Sequence, residues 1–137
     1  MPVSLSPSST VSATDFSASS HTPVHVSVAC IPAGHPSQDM SMHELMPEDV
    51  AAHAWLGGRR RMVGWGQALT LTVSGRHAIR DAARAWDRLR QEAIVTSLCD
   101  DATLPSFPVA FASFGFAAET PGFVFLPEVT VVEIPAP

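Results

Sequence analysis

The sequence contains no lysine. All eight of its basic residues are arginines: Arg59, Arg60, Arg61, Arg76, Arg80, Arg84, Arg88 and Arg90. For this chain on its own, that excludes any mechanism needing a lysine base, a Schiff-base lysine or a P-loop lysine. No apolar run approaches the roughly 18 residues needed to span a bilayer. No Lys or Arg precedes Arg59, and the early apolar residues are scattered among serines, so a secretory signal is not expected. Cysteine is scarce: Cys30 and Cys99 lie far apart and form no motif. Without a secretion signal, the expectation is two free thiols in the cytoplasm. The formal net charge of −5 gives no general pull towards nucleic acid or an anionic membrane.

What is present is phenylalanine and valine. Residues 109–134 hold five of the seven phenylalanines: Phe111, Phe114, Phe116, Phe123 and Phe125. Residues 109–116 are apolar or small at alternating positions on both faces, which predicts a strand buried on both sides. Residues 123–126 form a second such run. Between them, Pro121-Gly122 can supply a preset φ followed by φ > 0, so a type II turn and a hairpin are expected. Pro127 interrupts the pattern, and 129–134 resumes as a strand or edge extension. Each buried Phe is worth roughly 1.5–3 kcal/mol, so this hairpin is expected to be the core. A chain of 137 residues is one domain or part of a larger one. Alone, it would bury about 68% of its unfolded surface.

The chain begins with a stretch, 1–23, rich in Ser, Thr and Pro. Its composition predicts a disordered arm. Residues 25–31 (HVSVACI) alternate as a strand up to Pro32. After a loop, 42–46 reads as about one helical turn stopped by Pro47. Residues 50–56 approach the Gly57-Gly58 pair as a strand, and two glycines suit a tight hairpin turn. Residues 62–73 (MVGWGQALTLTV) read as one strand with large residues at odd positions and small or hydroxylated ones at even positions. Gly64 and Gly66 on the small face predict that another backbone or a bulky side chain crosses there. Ser74 is a candidate N-cap. From His77 to Ala93, Ile79, Ala82, Trp86, Leu89 and Ala93 recur at spacings of three and four, the stripe of an amphipathic helix. Residues 94–98 extend or follow it, and 99–108 form a loop. Residues 135–137 resemble the start of a linker. The fold class expected is α+β: an antiparallel sheet with one long amphipathic helix. One helix covers only part of one sheet face, so a partner or more polypeptide is expected over the rest.

Candidate chemistry is sparse. His21, His25, His35, His43, His53 and His77 show no metal-ligand spacing and read as scattered surface histidines. Arg76, Arg80, Arg84 and Arg88 stack at i, i+4 and could face phosphates. Asp81, Asp87 and Glu92 lie among them, however, so a mixed solvated face is expected and no nucleic acid. Arg59, Arg60 and Arg61 read as a hairpin tip. Gly64-Trp65-Gly66 is not a dinucleotide fingerprint, since Leu69 stands at the third glycine position. No GxSxG elbow occurs. Asp100-Asp101 reads as a solubilising loop pair. No catalytic, cofactor-binding or metal residues are assigned from the residues themselves.

Three segments together do carry a resemblance. They are Met62-Val63-Gly64-Trp65-Gly66-Gln67-Ala68, Val109-Ala110-Phe111-Ala112-Ser113-Phe114-Gly115-Phe116, and Phe123-Val124-Phe125-Leu126-Pro127-Glu128-Val129. This combination resembles the N-terminal region of isochorismate synthases, members of the chorismate-utilising enzyme family. Ala54-Trp55 before the Gly-Gly turn, and Leu45-Met46-Pro47, look like the family's start, and the likeness runs from about His25 to the C-terminus. Ala112 stands where the family often has Gly, and Gln67 where it often has Glu; the triple-arginine tip is unusual, and the serine-rich arm has no counterpart.

The resemblance implies a large α+β sandwich of two similar halves, of which 24–134 would be an incomplete scaffold part. The family's active site lies in its C-terminal portion. There a lysine activates water for attack at C2 of chorismate, a glutamate acts as acid at the departing C4 hydroxyl, and further glutamates bind Mg²⁺. None of those residues has a matching position here. The implied whole enzyme converts chorismate to isochorismate for menaquinone, siderophore or salicylate synthesis. This chain would be a catalytically incompetent, cytoplasmic fragment, binding no Mg²⁺ and no chorismate itself. Its expected partner is the missing C-terminal catalytic half or a separate catalytic chain. Two other readings stay open: a non-catalytic binding or regulatory module, and an unrelated small α+β interaction domain.

Overall fold

The computed structural model describes residues 9–32, 34–36, 40–56, 60–100, 105–115, 117 and 119–133. The chain is a mixed α+β protein with one long helix. Its elements run β1 (Ser9–Ser12), α1 (Ala13–Ala18), β2 (His25–Val28), α2 (Met42–Leu45), β3 (Ala52–Trp55) and β4 (Met62–Trp65). They continue with β5 (Leu69–Val73), α3 (Ala78–Glu92), β6 (Ile94–Ser97), β7 (Phe111–Ser113), β8 (Gly122–Leu126) and β9 (Val129–Val132). Among the described residues these form three sheets, with strand orders β1-β5-β8-β7, β2-β6 and β3-β4-β9.

The core follows from the period-2 geometry of β5 and β8, the central strands of the four-stranded sheet. Leu69, Leu71 and Val73 of β5 point to one face and are buried. Their antiparallel partners Leu126, Val124 and Gly122 stand opposite them in register on that same face. Helices α1 and α3 cover it with Ala13, Phe16, Ala82, Ala85 and Leu89. Phe16 and Ala85 are almost wholly enclosed, at 2% and 0% exposure. Arg88 of α3 locks the two helices together. It donates to the carbonyls of Phe16 and Ser17, acceptors that the end of α1 leaves unpaired, and pairs with Glu92 at 2.9 Å.

The structure departs from the sequence expectations at several points. The serine-rich stretch 1–23 is not a disordered arm over its described part, because β1 pairs parallel with β5 and Ser12 caps α1 by accepting from the Asp15 amide at 3.1 Å. Residues 62–73 are not one strand. At Gly66 the backbone turns left-handed (φ +73°), and the chain leaves the β3-β4-β9 sheet for the four-stranded one. Ser74 does not cap α3: His77 occupies the N-cap without a side-chain bond. The helical stripe is rotated, since Ile79 is 67% exposed while Ala85, left out of it, is buried. Residues 94–98 follow the helix as β6 instead of extending it.

The sheets are not all antiparallel either, since β1-β5 and β2-β6 are parallel pairs. The phenylalanine hairpin forms as β7 and β8, paired Phe111↔Phe125 and Ser113↔Phe123. Gly122 lies within β8 without a positive φ, so the expected type II turn is absent at that point. Phe123 and Phe125 alternate away from the helices and are half-buried, and Phe114 is 40% exposed. The core is aliphatic, with Phe16 as its aromatic member. The Gly57-Gly58 turn, Arg59, Asp101, Phe116 and residues 134–137 lie outside the described residues.

Candidate functional site

The motif glycines sit at a junction between two sheets. A side chain at Gly64 would meet the Pro127 ring at 2.5 Å and Phe111 at 3.0 Å, and one at Gly66 would meet Glu128 at 3.0 Å. The crossing expected over the small face of 62–66 is therefore real, and its agents are Phe111 and the Pro127-Glu128 corner between β8 and β9. The Glu128 amide donates to the carbonyl of Trp65 at 3.1 Å, and the Gly66 amide to that of Ala51 at 3.2 Å, closing the corner. On the same side His53 of β3 stacks on Phe125 (centroids 4.5 Å apart) and on Phe111 (5.7 Å), and Phe123 stacks on Phe125. The face of the hairpin turned away from the helices is thus an aromatic layer topped by a histidine.

Beside this junction runs a groove of about 960 Å³. Every residue of β2 lines it, and every residue of β9. Both are edge strands: among the described residues β2 pairs only with β6, and β9 only with β4. Each therefore keeps one edge unpaired by another described strand. Met42, Phe107 and Leu126 add apolar walls, and His25, Arg61, Glu128 and Glu133 stand among the lining residues. The β2-β6 ribbon beside the groove is poorly covered: Ile94, Val95 and Leu98 are 48%, 43% and 82% exposed. A smaller cleft of about 230 Å³ lies between the start of α1 and the end of β5, where Ser12, Thr14, Thr72, Ser74 and Asp81 gather. It holds one carboxylate and no histidine or cysteine.

The remaining candidates disperse. His21 stacks on Phe16 at 3.8 Å, and its Nε2 is buried without a hydrogen-bond partner. Burial, and secondarily the Arg88 guanidinium, hold its pKa below the usual histidine value. His25 lies in β2, His43 in α2, and His77 accepts from Arg76 Nε at 3.3 Å. Among the described residues no three His, Cys, Asp or Glu side chains converge. The arginine stripe is not a unit, because Arg88 is committed to α1 and Glu92 while Arg80 and Arg84 are exposed.

The thiols were expected to be free, and they are not. Cys30 and Cys99 form a disulfide with a Cα–Cα distance of 5.3 Å. Both line the groove. Sequence reading missed the pair because its partners become neighbours only through β2-β6 pairing. No described helix is long and apolar enough to cross a membrane. Comparison with known proteins gives no match to any family model, curated protein or solved structure.

Proposed function

We propose that this chain is the N-terminal scaffold part of an isochorismate synthase and performs no catalysis alone. The observation that carries the reading is the sheet junction. The three segments bearing the resemblance, the first some forty residues before the other two, pack on one another through Gly64, Phe111 and Pro127, the last 2.5 Å from the Cβ position at Gly64. That packing gives Gly64, Gly66, Phe111, Pro127 and Glu128 a physical reason for their places in the three segments. The two-halved sandwich of the family would place its second half over the aromatic layer and the groove. Mg²⁺ and chorismate would be held by that absent half, whose lysine this chain cannot replace.

A second reading, a non-catalytic module pairing with a separate catalytic chain, is favoured by the groove between two strand edges, since unpaired edges accept a further strand. Two experiments test these readings. The purified chain given chorismate and Mg²⁺ should form no isochorismate; measurable product overturns the claim of incompetence. Sequencing the DNA beyond codon 137 should reveal, in some frame, a chorismate-enzyme coding stretch. Finding none moves the weight to the separate-chain module and to an unrelated small α+β interaction domain, and co-purification with a chorismate-family polypeptide separates those two.

A further inference from the structure

The β2-β6 pair runs with a constant register offset: His25 faces Ile94, Val26 faces Val95, Ser27 faces Thr96 and Val28 faces Ser97. Carrying that offset of 69 two residues further brings Cys30 opposite Cys99, and 69 is the sequence separation of the disulfide. The bond is the next rung of the ladder. It closes the open end of a short two-stranded parallel ribbon, whose last backbone hydrogen bond runs from the Leu98 amide to the Val28 carbonyl at 2.9 Å.

The two cysteines differ in access. Cys30 is exposed and Cys99 is buried. Cys99 is also held in place, because its amide donates to Ser97 Oγ at 3.3 Å while the Ser97 hydroxyl donates to the Cys99 carbonyl at 3.0 Å. A small thiolate attacking at Cys30 would release Cys99 as the leaving sulfur. The ribbon has little else to hold it, since every residue of β6 is exposed and only Val28 of β2 is buried. An isolated two-stranded pair is marginal in water.

We propose that Cys30 and Cys99 are a reversible thiol–disulfide latch. Closed, it pins the β2-β6 ribbon as one wall of the groove facing β9; open, it releases that wall. Closing breaks two S–H bonds and forms one S–S bond. The two electrons and two protons pass to a low-molecular-weight disulfide such as oxidised glutathione, which becomes two thiols. In a reducing compartment, disulfides that do form are usually transient or redox-sensing, which suits a bond with one exposed partner. The inference does not depend on the chorismate reading.

The test uses the full chain in oxidised and in reduced glutathione, with alkylation and intact mass to count thiols and amide hydrogen exchange to follow the ribbon. In oxidised glutathione neither cysteine should alkylate, and in reduced glutathione both should. On reduction the Leu98 amide should exchange at least about tenfold faster. The Ile94 amide, bonded to Val24 at the far end, should change less, and the amides of α3 should not change. Cys30→Ser in the oxidised buffer should exchange like the reduced wild type. The proposal is overturned if both thiols alkylate in oxidised glutathione, or if Leu98 exchange is unmoved by reduction. Equal acceleration in α3 also overturns it, since the bond would then be a staple of the whole fold.

Discussion

β5 of the four-stranded sheet and the β2-β6 ribbon are both built from short runs rich in β-branched residues, yet the two regions are held in opposite ways. In the first, β5 is flanked by β1 and β8 and covered by α1 and α3, so Leu71 is 1% exposed. In the second, β6 is exposed along its whole length and Leu98 is 82% exposed. Strand propensity is similar in both; what differs is whether another layer removes the apolar face from water. One region is a finished core. The other is a surface with apolar side chains, two strand edges and one covalent rung.

The largest test of that contrast is Phe16→Ala. Phe16 is enclosed between α1, α3 and β5, so its truncation should cost about 3–5 kcal/mol, read by urea denaturation. Leu98→Ala should stay within about 0.5 kcal/mol of wild type. A Phe16 variant as stable as wild type would return residues 9–18 to the status of a loose arm. A costly Leu98 variant would mean that the ribbon is covered in solution.

Next in size is the sheet junction. At Gly64 a methyl group would meet the Pro127 ring, which cannot rotate away, so Gly64→Ala should cost about 1–3 kcal/mol through overpacking. Gly66→Ala forces a Cβ into a left-handed conformation and should cost about 1–2 kcal/mol. If both are neutral in thermal melts, the junction is loose and its support for the proposed family scaffold disappears.

Arg88→Met keeps the aliphatic stem but abandons the carbonyls of Phe16 and Ser17 at the end of α1. A loss of about 1–2 kcal/mol is expected, discounted because the side chain is partly exposed. Exchange of α1 amides should accelerate more than that of β8 amides; the reverse order would place Arg88's role elsewhere.

These residues also mark what the sequence made legible. The long helix was readable because its apolar spacing is a local property. Its buried face was misjudged by part of a turn, since close contact with α1 and β5 selects Ala85, and alanine carries little hydrophobic signal. The break at Gly66 was hidden because alternation continues on both sides of it, while the change of sheet is a tertiary fact. Phe16 was masked by the serines around it: composition averaged over 23 residues cannot register one capped turn with one anchor. The five clustered phenylalanines drew the core towards themselves, although period-2 geometry gives the helix-facing side of β8 to Val124 and Leu126. The disulfide and the groove depend on strand pairings between distant segments, which no local pattern encodes.

The smallest effect is a pH dependence at the edge of the finished core. His21 stacks on Phe16 with a buried Nε2, and burial, then Arg88, lower its pKa in the folded state, while Glu92 opposes them. A histidine whose folded pKa lies below its unfolded value of about 6.5 binds protons more readily when unfolded. Stability from this site is therefore fully present above the unfolded pKa. It declines as pH falls from there towards the folded pKa, and is flat below it. His21→Gln should leave stability at pH 8 nearly unchanged in this respect and make the decline below pH about 6.5 shallower. Denaturation midpoints measured across that window check it. A wild type and a variant with parallel pH profiles would mean that His21 is solvated in the folded protein, and that the core ends at Phe16.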